Sequence, residues 1–338
     1  MKRYSKLIDE FNKGVHKSAR QDRCIICDRE MTSACNSHVV PQFVLKEIAD
    51  GGEVAYGYIF SKRDVQGCEK ITGIKNAHTF RLICKNCDRT LFTDYENPNN
   101  ILDFDSLPSE LKTKMLREMS LKAHLSHIQT KYNRLITKDI VTGGAVSRLE
   151  KEGKLSPERI DLIEHLEYIE NINNASYKVL FNKQLDYNVG FATQTLFYYV
   201  YDMKGHKLFN IHDLKTNEKI SPFYLSIIPL KGTTRILFFV DKEIDEKANR
   251  LVNQFNELTE EEKFKFVFVS LIVFDQEFYV NPSIAKNIVK NDKKLVRLYT
   301  CTDQYLYWPI DNRKKIKNFR KYHNYLADNM ESLFKKDE

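Results

Sequence analysis

Tryptophan is almost missing from this chain, with one in 338 residues. Glycine (12) and proline (8) are scarce as well, and no internal repeat or low-complexity tract interrupts the sequence. Repeat architectures and long unstructured linkers are therefore set aside. No window approaches the run of about 18 apolar residues that a membrane-spanning helix needs. The opening Met1-Lys2-Arg3-Tyr4-Ser5 lacks the apolar core of a secretory leader. The expectation is a cytoplasmic protein with no membrane partner. Neither G-x-x-x-x-G-K-S/T nor G-x-G-x-x-G occurs, which argues against a Gly-rich loop cradling phosphates. The G-x-S-x-G elbow of serine hydrolases is absent too.

What is present can build a core. Hydrophobic residues make up 42% of the chain and aromatic residues 12%, with 18 Tyr and 21 Phe. The length fits one large or two ordinary domains. The net charge of +7 is a mild bias. Its distribution is more telling. Arg313, Lys314, Lys315, Lys317, Arg320 and Lys321 follow one another with no acid between them, and Phe319 and Tyr322 sit among them. Such a stretch can track a phosphate backbone while a ring stacks on a base. A solvated C-terminal helix is the other reading.

Patterning along the chain predicts an α+β protein. Residues 1–100 are expected to form a cysteine-based module, 101–172 a helical connection, and 173–338 a C-terminal domain with a basic tail. In the first, Leu7, Ile8, Phe11 and Val15 have helical spacing, and Gly51–Lys75 reads as hairpins and loop. A long helix is predicted after Ser106 and Pro108, with Leu111, Met115, Met119, Leu125, Ile128, Tyr132 and Leu135 recurring mostly at three- and four-residue steps. Gly143-Gly144 breaks it, and Ser156-Pro157-Glu158 starts another helix. Tyr177–Phe181, Phe191–Tyr201, Lys207–Ile211, Phe223–Ile228 and Arg235–Val240 read as strands of an antiparallel sheet. Lys204-Gly205 and Lys231-Gly232 mark turns between such runs. Thr259 and Glu262 form a capping box ahead of Phe264–Phe274, which reads as a buried helix although its Val and Phe content also allows a strand.

Seven cysteines occur, and four of them lie in two C-x-x-C pairs. The pairs are Cys24-Ile25-Ile26-Cys27 and Cys84-Lys85-Asn86-Cys87, with fifty-six residues between them. Each pair bends the backbone into a knuckle, so four thiolates can share one tetrahedral Zn2+ at about 2.3 Å. An ion held this way has no open coordination position and serves folding. Any chemistry needs a second site beside it. Cys35, Cys68 and Cys301 read as ordinary thiols, although Cys35 is close enough to the first knuckle to substitute as a ligand.

Between the knuckles lies Ser37-His38-Val39-Val40-Pro41-Gln42-Phe43. After it come Leu82-Ile83-Cys84-Lys85-Asn86-Cys87-Asp88 and Leu91-Phe92-Thr93-Asp94-Tyr95-Glu96. This combination resembles the HNH-like endonucleases of bacteria and phage that stand on a treble-clef zinc scaffold and carry a Ser-His-x-x-Pro segment. The resemblance is specific over about residues 20–100. Beyond that it is weak, although Ser226-Ile227-Ile228-Pro229 and Asn281-Pro282-Ser283 also look similar to that group.

The resemblance implies that His38 is a general base, deprotonating a water that attacks a phosphodiester of DNA or RNA. An imidazole with an ordinary pKa of about 6.5 is suited to that work. It further implies a catalytic Mg2+ or Mn2+ on hard oxygen ligands, with Asp88 and Glu96 as the carboxylates. Low Gly and Pro with abundant Lys, Asn, Ile and Tyr suggests an AT-rich genome, and a role in antiviral defence rests on the resemblance alone. The departures are specific. Ser37 stands where the family has a metal-binding Asp, and Asn76 and His78 are the nearest candidates for its upstream Asn. Asp88 stands where its last His or Asn belongs. The alternatives remain open: a histidine bonded to backbone, acids that cap a helix or face solvent, and a non-catalytic zinc module binding nucleic acid or protein. His124 and His127, at i and i+3 on the long helix, read as half-buried packing residues. His206 and His212 read as turn residues.

Overall fold

The structure is a computed structural model describing residues 14–15, 21–31, 35–60, 71–199, 202–204, 206, 208, 221–274, 278–293 and 296. The basic stretch at 313–321 lies outside these residues, as do Cys68, Cys301, His212 and nearly all of the expected lead-in. Most of the run expected as a strand at Lys207–Ile211 is outside them too.

Among the described residues, the numbered elements begin with β1 (Ser37–His38), α1 (Gln42–Ile48), β2 (Glu53–Tyr56), β3 (Ile71–Gly73), β4 (Thr79–Phe80), α2 (Lys85–Leu91) and α3 (Pro98–Leu102). Three helices follow, α4 (Ser109–Val141), α5 (Ala145–Lys151) and α6 (Pro157–Glu170). Then come β5 (Tyr177–Leu185), β6 (Phe191–Phe197), β7 (Phe223–Leu230), β8 (Thr233–Asp241), α7 (Glu246–Asn256), α8 (Glu260–Phe274), β9 (Tyr279–Val280) and α9 (Pro282–Asn291). Helices and antiparallel strands together make the protein α+β. Among the described residues no helix is long and apolar enough to cross a membrane.

Two compact units divide the described residues, and they interleave in sequence. The first holds those up to Val39 and from His78 to Ala175; the second holds those from Val40 to Phe60, from Ile71 to Ala77 and from Ser176 onward. The linear division at residues 100 and 172 is thereby corrected in two ways. The helices α4–α6 belong with the cysteine knuckles and are no connection. The segment between the histidine and the second knuckle supplies α1, β2 and β3 to the other unit.

In the first unit, β1 and β4 pair antiparallel, with Ser37 opposite Phe80 and His38 opposite Thr79. The helix α4 spans 33 residues and packs on α5 and α6. Its expected stripe is buried at Met115, Met119, Leu125, Ile128 and Leu135. Burial goes further around the helix, enclosing Glu118, Lys122 and His124 as well. Those polar groups must find partners inside the unit, because an unpaired buried charge is costly. Ser156 caps α6 by accepting from the Arg159 N–H at 3.2 Å, with Pro157 in the first turn.

The second unit is built on a seven-stranded antiparallel sheet in the order β3-β2-β9-β6-β7-β8-β5. Every residue of β7 is buried, so both faces of the sheet are covered there. Phe223, Leu225 and Ile227 share one core with Leu251, Val252, Phe255, Val267 and Phe268 of α7 and α8. The β7–β8 turn is Lys231-Gly232, both at positive φ (50° and 80°) as a tight hairpin with the right twist requires. Thr259 and Glu262 make the expected reciprocal cap: the Thr259 N–H donates to the Glu262 carboxylate at 2.9 Å, and the Glu262 N–H to the Thr259 hydroxyl at 3.3 Å.

Candidate metal centre and its surroundings

The first knuckle folds on itself through local hydrogen bonds. The Cys24 N–H donates to the Arg29 carbonyl at 2.9 Å, and the Asp28 N–H to the Cys24 carbonyl at 2.8 Å. Asp28 takes a left-handed φ of 55° to close the turn, a conformation short polar side chains tolerate. The second knuckle sits at a helix start: Cys84 is the cap residue of α2 and Cys87 lies in its first turn. The Ile25 N–H donates to the Leu82 carbonyl at 3.1 Å and ties the two knuckles together.

These turns bring the four sulfurs into one cluster, with all separations within 4.8 Å. The Cys24 and Cys87 sulfurs are 3.8 Å apart, as are those of Cys27 and Cys84. A tetrahedron with arms of about 2.3 Å has edges of about 3.8 Å. A disulfide would need about 2.05 Å. The spacing therefore matches a cluster that can hold a metal ion such as zinc. The Cys84 N–H points at the Cys24 sulfur at 3.3 Å, a donor suited to a thiolate. The backbone N–H of Cys87 draws the Cys84 thiol down to about 7, while burial pushes the Cys87 thiol up. An ion would deprotonate all four.

Cys35 is not part of this cluster. Its thiol donates to Asp88 Oδ2 at 3.2 Å, and burial, followed by that hydrogen bond, raises it to about 11. It is a neutral thiol and makes no fifth ligand.

The sequence-predicted acids and histidine lie at identifiable places around the knuckles. His38 is half-buried on β1, whose partner β4 leads through Leu82 and Ile83 into Cys84. Asp88 is one turn into α2. Glu96 pairs with Lys122 of α4, whose side chain is only 2% exposed against 38% for the glutamate. The Lys122 ammonium also lies 4.6 Å from the centre of the Phe92 ring. Asp94 pairs with Lys114, and the buried Glu118 carboxylate accepts the Tyr95 N–H at 2.7 Å and the Asp94 N–H at 3.1 Å. Burial outweighs those hydrogen bonds and lifts Glu118 to about 7. Among the described residues, no group of three ligand atoms joins His38, Asp88 and Glu96.

No family model, curated protein or solved structure matches this chain.

A second cluster sits between α4 and α6. The ligand atoms of His127, Asp161 and His165 all lie within 4.8 Å of one another. His124 is buried, as its helical position predicts, and its ring stacks on Tyr168 at 3.9 Å. Burial, and then the neighbouring His165, pushes the His127 imidazole down to about 3; the same two causes hold His124 well below its ordinary value. Asp161 and His165 did not stand out in the sequence. Their i, i+4 spacing on a capped helix is a usable signal, but it gains meaning only once α6 is known to face His127.

Proposed function

We propose that the first unit is an HNH-like nuclease module hydrolysing phosphodiester bonds of DNA or RNA, with a structural zinc ion on Cys24, Cys27, Cys84 and Cys87. One observation carries this reading. A two-stranded antiparallel element bears His38 on its first strand, and its second strand runs directly into a metal-knuckle helix bearing Asp88. That succession, strand with imidazole, strand, helix with carboxylate, stapled by four sulfurs, is the arrangement the resemblance implies.

In this reading His38 takes a proton from water. The resulting hydroxide forms the new P–O bond as the P–O bond to the leaving oxygen breaks. Asp88, which accepts from the Cys35 thiol, is the carboxylate that would hold a Mg2+ or Mn2+ ion, and that ion would supply charge stabilisation to the phosphate. Glu96, given the same role by the sequence, is committed to the Lys122 ammonium and serves better as a structural anchor. The cations at 313–321 would hold the phosphate backbone.

The test is cleavage of plasmid DNA and of RNA with Mg2+ or Mn2+, comparing wild type with His38→Ala at equal zinc content. Loss of a general base costs about 10²–10⁴-fold. Cleavage that survives the substitution sinks the assignment. A second reading is favoured by the engagement of both carboxylates, Asp88 by Cys35 and Glu96 by Lys122. It is a non-catalytic zinc module, which would bind nucleic acid in a salt-sensitive way and cut nothing.

A further inference from the structure

We propose that His127, Asp161 and His165 form a second metal site, of the two-imidazole, one-carboxylate class, for a divalent transition metal such as Zn2+. It goes beyond the nuclease reading and does not depend on it. The site is built on two facing helices. His127 and Lys131 lie one turn apart on α4, and Asp161 and His165 one turn apart on α6.

Geometry is the first argument. His165 Nε2 is 3.4 Å from Asp161 Oδ1, and His127 Nε2 is 3.7 Å from Asp161 Oδ2. Nitrogen and oxygen ligands at about 2.0–2.2 Å around a tetrahedral ion stand about 3.3–3.6 Å apart. The two nitrogens approach different oxygens of the one carboxylate at close to that spacing, and one ligand atom from each of the three residues lies within 4.8 Å of the others; 3.7 Å is too long for a hydrogen bond.

The second argument is an orphaned atom. His127 Nε2 is buried and has no hydrogen-bond partner among the described residues. A purely structural polar cluster would satisfy it, because unpaired buried polar groups are costly. A metal ion accepts its lone pair and removes the deficit.

The third is the tautomer. His124 Nδ1 and His165 Nδ1 are 2.7 Å apart, so one ring donates to the other. A metal on His165 Nε2 requires the His165 proton on Nδ1, donated to His124. A ligating histidine commonly fixes its tautomer through such an outer partner. His124, held flat against Tyr168, is then a positioning residue.

Lys131 would compete with an ion for the carboxylate. Its ammonium pairs with Asp161 Oδ2, providing the positive charge the metal would otherwise bring. Binding displaces that ammonium. Two imidazoles select against Mg2+ and Ca2+, which prefer all-oxygen shells. Three protein ligands leave a fourth position open to water, as in catalytic zinc sites.

The experiment uses the full chain, reduced, stripped of metal and titrated with Zn2+ and with Co2+. Wild type is expected to take up one Co2+ with thiolate charge-transfer bands and a further one with weak d–d bands alone. Asp161→Asn and His127→Gln should each lose the second and keep the thiolate bands, which report that the knuckles are still folded. Lys131→Met should bind the second ion at least tenfold more tightly, a gain that misfolding cannot produce. A wild type that stops at the thiolate-bound ion overturns the proposal. So does a second equivalent that persists undiminished in both ligand variants.

Discussion

The pairing of Lys122 with Glu96 makes an asymmetric prediction. Lys122 is sealed in the first unit at 2% exposure, while Glu96 reaches solvent at 38%. Removing the glutamate strands an ammonium that cannot hydrate. Breaking a buried pair from one side costs about 3–5 kcal/mol. The Phe92 and Tyr95 rings, 4.6 and 5.6 Å from the ammonium, face it in wild type and variant alike, so their contribution cancels in the difference. Glu96→Ala should therefore lower the unfolding free energy by about 3–5 kcal/mol. Lys122→Met is different: the methionine fills the same slot, and the glutamate left behind can hydrate. Its cost should stay within about 1 kcal/mol, and the double variant should match Lys122→Met. Urea unfolding of the zinc-loaded protein at constant m-value measures all three. Equal losses for the two single variants would refute the asymmetry. The same series separates anchor from ligand. If the protein cleaves nucleic acid, the double variant should still do so, since the ammonium that Glu96 anchored is removed together with it.

Three further outcomes follow from single contacts. Cys87→Ser should lose the knuckle metal and expose the amides of Ile25 and Cys35, which donate to Leu82 and Ile83; their hydrogen exchange should rise about a hundredfold or more while β7 and β8 stay protected. Burial raises Glu118 from 4.5 to about 7, so the folded state keeps a proton that the unfolded chain releases. Its contribution is complete below about pH 4.5 and is lost as pH rises toward 7; Glu118→Gln should flatten that decline, as urea midpoints from about pH 4 to 8 will show. A Cβ on Gly57 would meet the Phe278 ring at 2.3 Å, so Gly57→Ala should cost about 1–3 kcal/mol by overpacking, read from the urea midpoint.

The sequence made local signals legible and left spatial ones hidden. The Thr259–Glu262 box, the Ser156-Pro157 start and the Lys231-Gly232 turn each depend on neighbours in the chain, and each stands where the pattern placed it. The cluster of four thiols was legible because C-x-x-C constrains its own backbone. The strands β2 and β3 fall in the Gly51–Lys75 stretch read as hairpins and loop and pair with each other, Val54 facing Thr72; the other partner of β2 was not legible, because β9 lies far along the chain: Ala55 faces Val280, and Tyr56 faces Tyr279. Lys122 shows the same limit in α4. Nothing in the helical stripe distinguishes a buried lysine from an exposed one; its burial depends on Glu96 and Phe92, which the sequence keeps apart from it. Asn281-Pro282-Ser283, likened to the nuclease group, has a local purpose: the Asn281 side chain caps α9 by accepting from the Ser283 and Ile284 N–H groups.

The interleaving of the two units links the four-thiol site to the sheet through the covalent chain. The chain leaves the first unit after Val39 and returns at His78, and the described part of that excursion adds β2 and β3 to the sheet edge. Closing a free loop of roughly forty residues costs on the order of 3 kcal/mol. With the excursion folded, the second unit has already brought its ends toward one another, so the knuckles meet that cost only in part. Linkage makes the help reciprocal: an ion that fixes the knuckles must also favour the folded edge. Zinc loading should therefore slow hydrogen exchange in β2 more than in β7, where neither neighbour depends on the excursion. The upper limit is the loop term itself, about a hundredfold in exchange rate. Equal protection of β2 with and without zinc, at unchanged stability of β7, would show that the two units fold without regard to the loop they share.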